Sequence, residues 1–81
     1  MVERVTKILE SRFPGIDLEI EEMPNGNIMG TAVWEGFADL DQVDRQTKLR
    51  DALRNTPDLD GSQIGLILAY TPDELFAMKA A

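Results

Sequence analysis

Arg45, Lys48, Arg50 and Arg54 form the densest group of cationic side chains in the chain. A guanidinium can hold a carboxylate or a phosphate through two parallel bonds, so such a row could receive an acidic partner or a nucleic-acid backbone. The plainer reading is a solvated helix face, with Asp44 and Asp51 as neighbours in weak surface pairs. The acid pairs Glu21-Glu22 and Asp58/Asp60 have a spacing compatible with general acid–base work. In a chain with 15 acids against 8 bases they read instead as solvated carboxylates. Ser62 lacks a recognisable activating base, because the chain contains neither histidine nor cysteine. The same absence removes the ligands of ordinary zinc, copper, haem and iron–sulfur sites. No acidic loop has EF-hand spacing. The expectation is a protein that is not an enzyme and carries no cofactor.

The elements that must position these residues follow from periodicity. Val2, Val5, Ile8, Leu9 and Phe13 recur at helical spacing, and Pro14-Gly15 ends that helix. Ile16, Leu18 and Ile20 then alternate with Asp17, Glu19 and Glu21, which predicts a half-buried strand with an acidic outer face. Pro24-Asn25-Gly26-Asn27 is a turn, and the returning strand runs from about Ile28 to Trp34. Gly36 marks a bend or bulge. Asp39 or Asp41 can cap a helix in which Leu40, Val43, Leu49, Ala52 and Leu53 supply the buried stripe, and in which Arg45, Lys48, Arg50 and Arg54 lie on the other faces. Asn55-Thr56-Pro57 stops it, and Asp58 to Ser62 is a polar loop. Gln63 to Tyr70 is almost wholly apolar and reads as a strand buried on both faces. Thr71, Pro72 and Glu74 then start a last helix through a capping box with proline at the first helical position.

The order α-β-β-α-β-α predicts one α/β (α+β) domain over residues 1–81, with an antiparallel hairpin and a right-handed crossover to a parallel third strand. Helices should cover one face of the resulting three-stranded mixed sheet and leave the other largely open. Trp34, the single tryptophan, stands at the end of the hairpin. It reads either as a core residue or as an exposed interface anchor. The net charge of −7 disfavours nucleic acid and anionic membranes as partners. No segment has the length or flanks of a membrane span or a signal peptide, so a soluble cytoplasmic protein is expected.

Phe37, Arg45-Gln46, Leu53, and Leu66 to Tyr70 followed by Thr71-Pro72-Asp73-Glu74, taken with the element order, resemble the BolA family. The resemblance covers nearly the whole chain and implies a fold like the class II KH domain. It also implies a monothiol glutaredoxin as partner, with a [2Fe–2S] cluster shared between the two proteins. The chain departs from the family pattern in four places. Asp39 and Asp41 stand where family members typically have Gly and Ser. Gln46 replaces the histidine after the arginine, and Gln63 lies near the position of a second histidine implicated in cluster ligation. A glutamine amide cannot replace imidazole there. There is also no Gly-x-x-Gly loop of the kind with which KH domains clamp nucleotides, since Gly26 and Gly30 have the wrong spacing.

The expected function is therefore a non-catalytic BolA-like protein-interaction or regulatory module, with a link to redox or iron homeostasis but no His or Cys cluster ligand of its own. Arg45, Gln46, Gln63 and Trp34 are its candidate partner-binding residues, the first three placed where the start of the second helix should meet the start of the last strand and Trp34 at the end of the hairpin. The alternatives are a nucleic-acid-binding regulator on the KH-like fold, and a subunit or assembly factor that binds through the open sheet face.

Overall fold

The computed structural model describes residues 2–54 and 64–80. Helix α1 spans Val2–Arg12 and buries Val5 and Leu9, one helical turn apart. Phe13 adds one further bond, to the Leu9 carbonyl, before Gly15 turns the chain at φ +87°. Only glycine takes up that backbone conformation without strain. Strand β1, Asp17–Glu22, and strand β2, Ile28–Val33, form the expected hairpin. Its loop closes with Met23 and Gly26 bonded to Asn27 and Met23 in turn, while the Asn25 side chain accepts from the Asn27 amide.

A short 3-10 helix, Glu35–Phe37, follows β2 and drives Phe37 into the core. Helix α2, Gln42–Arg54, begins where the Asp41 carboxylate accepts from the Asp44 amide at 2.9 Å. Of the two aspartates with capping potential, Asp41 is the cap. Strand β3, Ile64–Tyr70, and helix α3, Pro72–Ala80, complete the described chain. Thr71 and Glu74 form the reciprocal capping box, the Thr71 amide bonding the Glu74 carboxylate and the Glu74 amide bonding the Thr71 hydroxyl.

The sheet order is β1-β2-β3, with β1 and β2 antiparallel and β2 and β3 parallel. An irregularity between Ile28 and Gly30 pairs Ile28 with Ile64 but Gly30 with Ile67. The extra residue on β3 lets Ile64 and Ile67 both pack toward the core despite their odd spacing. Val5, Leu9, Phe37 and Ile28 are the largest fully buried side chains. Each contributes roughly 1.5–3 kcal/mol by leaving water, so a core this small depends on every member.

Three sequence expectations need correction. β3 is buried on one face only: Ile67 and Ala69 are in the core, whereas Leu66 and Leu68 are 52% and 39% exposed. No described element covers the second face. Val43 is not in the buried stripe of α2 but 73% exposed. The stripe is instead Arg45, Leu49, Ala52 and Leu53, one helical repeat in which position 43 points away. Arg45 therefore does not belong to the outer basic face, which holds Lys48, Arg50 and Arg54.

Candidate functional site

Arg45 is 4% exposed, and each of its three guanidinium nitrogens donates within the fold. Its Nε donates to the carbonyls of Phe37, at 3.1 Å, and Leu40, at 2.9 Å. One terminal nitrogen donates to the Ala69 carbonyl at 3.1 Å and to Glu74 Oε1 at 2.7 Å, and the other reaches Glu74 Oε2 at 3.0 Å. The guanidinium carbon lies 5.8 Å from the centre of the Phe37 ring. One side chain thus ties together the 3-10 helix, the start of α2, the end of β3 and the start of α3. Hydrogen bonding to Glu74 raises the Arg45 pKa against the opposing effect of burial, with the charges of Glu74 and Asp41 adding to the rise. The Glu74 carboxyl falls to about 2, chiefly through Arg45 and then through the Thr71 amide.

The two glutamines on the inner edge of α2 behave alike. Gln42 Nε2 donates to the Ala69 carbonyl and Gln46 Nε2 to the Ile67 carbonyl, each at 2.8 Å. Arg45 and Gln46 are thus brought together, but at the middle and end of β3 rather than at its start. Gln63, the third residue expected there, lies outside the described residues, as do Asp58, Asp60 and Ser62. Beyond Gln46, a groove of about 370 Å³ runs between α2 and β3, with Arg50 and Arg54 on one wall and Ile64, Gly65 and Ile67 on the other.

Trp34 stands apart from this junction. It is half-buried between Phe13 and Phe37, with ring centres 5.1 and 5.2 Å away in edge-on arrangements. Its indole N–H donates to the Pro14 carbonyl at 2.9 Å. A Cβ at Gly36 would meet the indole ring, so the absence of a side chain at Gly36 leaves the space that Trp34 fills.

The uncovered side of the sheet has a different chemistry. The register sets Glu19 opposite Thr31, Glu21 opposite Met29 and Asp17 opposite Val33, and then sets Thr31 beside Leu68 and Val33 beside Tyr70. Side chains alternate along a strand, so these residues share the face away from α1 and α2. Met29, Leu66 and Leu68 are all exposed there, and with Glu19, Glu21 and Thr31 they line a shallow depression of about 560 Å³. Asp17 and Val33 lead into a second cleft bounded by Leu75, Phe76 and Lys79 of α3. Phe76 is 75% exposed.

The open face was expected; the exposure of Met29, Leu66 and Leu68 on it and the pairing of Glu74 with Arg45 were what sequence reasoning missed. The signal for the face was present. Acids at Asp17, Glu19 and Glu21 declare one side of β1 solvated, and a three-stranded sheet has the same outside at β3. No helix among the described residues is long and apolar enough to cross a membrane. Among those residues no group of three or more His, Cys, Asp or Glu is placed to hold a metal ion. No family model matches the chain, and no curated protein matches its sequence.

Proposed function

We propose that this chain is a non-catalytic, BolA-like protein-interaction module that docks a partner on the open face of its sheet. The observation that carries this reading is the exposure of Met29, Leu66 and Leu68 side by side on a face no described element covers. Clustered apolar surface of this kind marks interaction sites. The BolA-like part rests on the sequence motifs and on the α-β-β-α-β-α order with its mixed sheet. A glutaredoxin partner and a link to redox or iron homeostasis rest on that resemblance alone. Arg45 and Gln46 serve the reading as internal fasteners that hold β3 and α3 in place, since their polar groups are already engaged.

The test compares the wild type with a Leu66→Ser/Leu68→Ser variant, both immobilised and exposed to extract from the native organism. The expected result is a set of proteins retained by the first and lost by the second, at matched melting temperatures. Identical retention by both would overturn the reading.

A further inference from the structure

The open face carries a charge pattern that selects among possible occupants. The positions that share it are Asp17, Glu19 and Glu21 on β1, Met29, Thr31 and Val33 on β2, and Leu66, Leu68 and Tyr70 on β3. Three are acids and none is basic. The acids occupy one margin and the leucines the other, so the face is apolar and negative in separate stripes. Lys79 of α3, in the cleft beyond Asp17, bounds the acidic row at that end.

Resting on the reading above, we propose that the occupant is a basic amphipathic helix of a partner protein, its apolar stripe over Met29, Leu66 and Leu68 and its Lys or Arg residues along Glu19, Glu21 and Asp17. The dimensions agree. Two strand spacings separate the acidic row from the leucines, roughly 10 Å, which is about the diameter of a helix with its side chains. Same-face residues on a strand are about 6.8 Å apart, and residues four apart on a helix about 6 Å, so successive bases on one helix edge fall opposite successive acids. A second copy of this face would bring another acidic row and no base to meet the first. Nucleic acid and anionic lipid would face the same repulsion. A strand added at the free edge of β1 would leave Leu66 and Leu68 uncovered.

The probe is a synthetic helical Leu/Lys peptide of about five turns. A scrambled peptide of the same composition and a Leu/Glu counterpart serve as controls. The expected result is binding of the Leu/Lys helix alone, with amide NMR shifts confined to residues 17–21, 29–33 and 66–68. Affinity should fall at least tenfold in Leu66→Ser/Leu68→Ser and in Glu19→Lys/Glu21→Lys, and by about threefold or more in Glu19→Gln/Glu21→Gln, which adds no new charge. Glu3→Lys/Glu10→Lys on the exposed side of α1 should stay within twofold. Shifts centred elsewhere, or an equal loss from the α1 reversal, would overturn the proposal.

The partners retained from extract separate this inference from the reading it rests on. Partners lost from both the serine and the lysine variants support both. Partners lost only from the serine variant leave the docking face standing and overturn the basic helix. Partners kept by both variants overturn the two together.

Discussion

Leu66 and Ile67 are consecutive residues of one strand with nearly the same side-chain volume, yet Ile67 is 3% exposed and Leu66 is 52% exposed. The same contrast separates Ala69 from Leu68. What differs is the layer on each side of β3. α1 and α2 bring Val5, Leu9, Leu49, Ala52 and Leu53 against one face, while on the other Leu66 and Leu68 stay exposed and α3 borders only the end at Asp17 and Val33. The covered face is where the chain secures its fold, and it does so with polar fasteners as well as packing, at Arg45, Gln42 and Gln46. The open face has spare apolar area and an acidic margin. The two faces of one apolar strand therefore differ in kind, one securing the fold and the other left exposed.

Substitution along β3 should break this contrast most sharply. Ile67→Ala is expected to cost about 2–5 kcal/mol, and Leu66→Ala to stay within about 0.5 kcal/mol, in urea unfolding. Similar losses for both would mean that the second face is covered. Arg45→Ala should cost about 3 kcal/mol, because it removes the side-chain donor to the Leu40 carbonyl, leaves the Phe37 carbonyl with the Leu40 amide alone, and separates α3 from α2. At this chain length that lowers the melting temperature by more than about 10 °C. A shift of only a degree or two would show that packing alone holds the junction.

Gly30 sharpens the comparison from within the sheet. A Cβ there would meet the Glu19 carbonyl and stand 2.6 Å from the Ile20 Cα, so Gly30→Ala must push β1 from β2. A loss of about 1–3 kcal/mol is expected, with amide exchange rising first along the hairpin. Protection unchanged at β1 would contradict the close approach. The smallest effect concerns acid. Glu74 is held near pKa 2, below the usual 4.5, so its pairing stabilises the fold fully above about pH 4.5. That contribution is lost as pH falls toward 2. Glu74→Gln should flatten the melting temperature across this window, and a profile parallel to the wild type would remove Glu74 from the acid response.

Much of the fold was legible because local signals agreed. The change of period at Ile16, the Asn25-Gly26 turn and the Thr71 to Glu74 cap each fixed an element boundary within a residue or two. The exposure of β3 was not legible from β3 itself, since apolar residues on both sides look the same whether or not a second layer exists. Arg45 was misread for a related reason. Composition places an arginine in water, and only the convergence of three carbonyls and Glu74 from distant segments makes its burial tolerable. The helical repeat 45-49-52-53 contained the clue, because Val43 cannot share a face with Leu49 and Leu53. Glu74 read as half of a local cap, and its second role depends on tertiary contact 29 residues away in sequence.

The bonds from Gln42 and Gln46 bear on how readily another strand could add to β3. β3 lies at the margin of the sheet, and its uncharged stretch from Ile64 to Tyr70 is the kind of segment that templates intermolecular cross-β growth. Its outward-facing carbonyls at Ile67 and Ala69 are already occupied by amide and guanidinium donors from α2. An incoming strand would have to displace them before it could pair. Gln42→Ala/Gln46→Ala should therefore shorten the lag before fibril formation at concentrations where the wild type stays dispersed, a change visible in thioflavin fluorescence. An unaltered lag would assign the protection to the bulk of α2 rather than to its side chains. The same glutamines that fasten the helix to the sheet also occupy the pairing sites along its β3 edge.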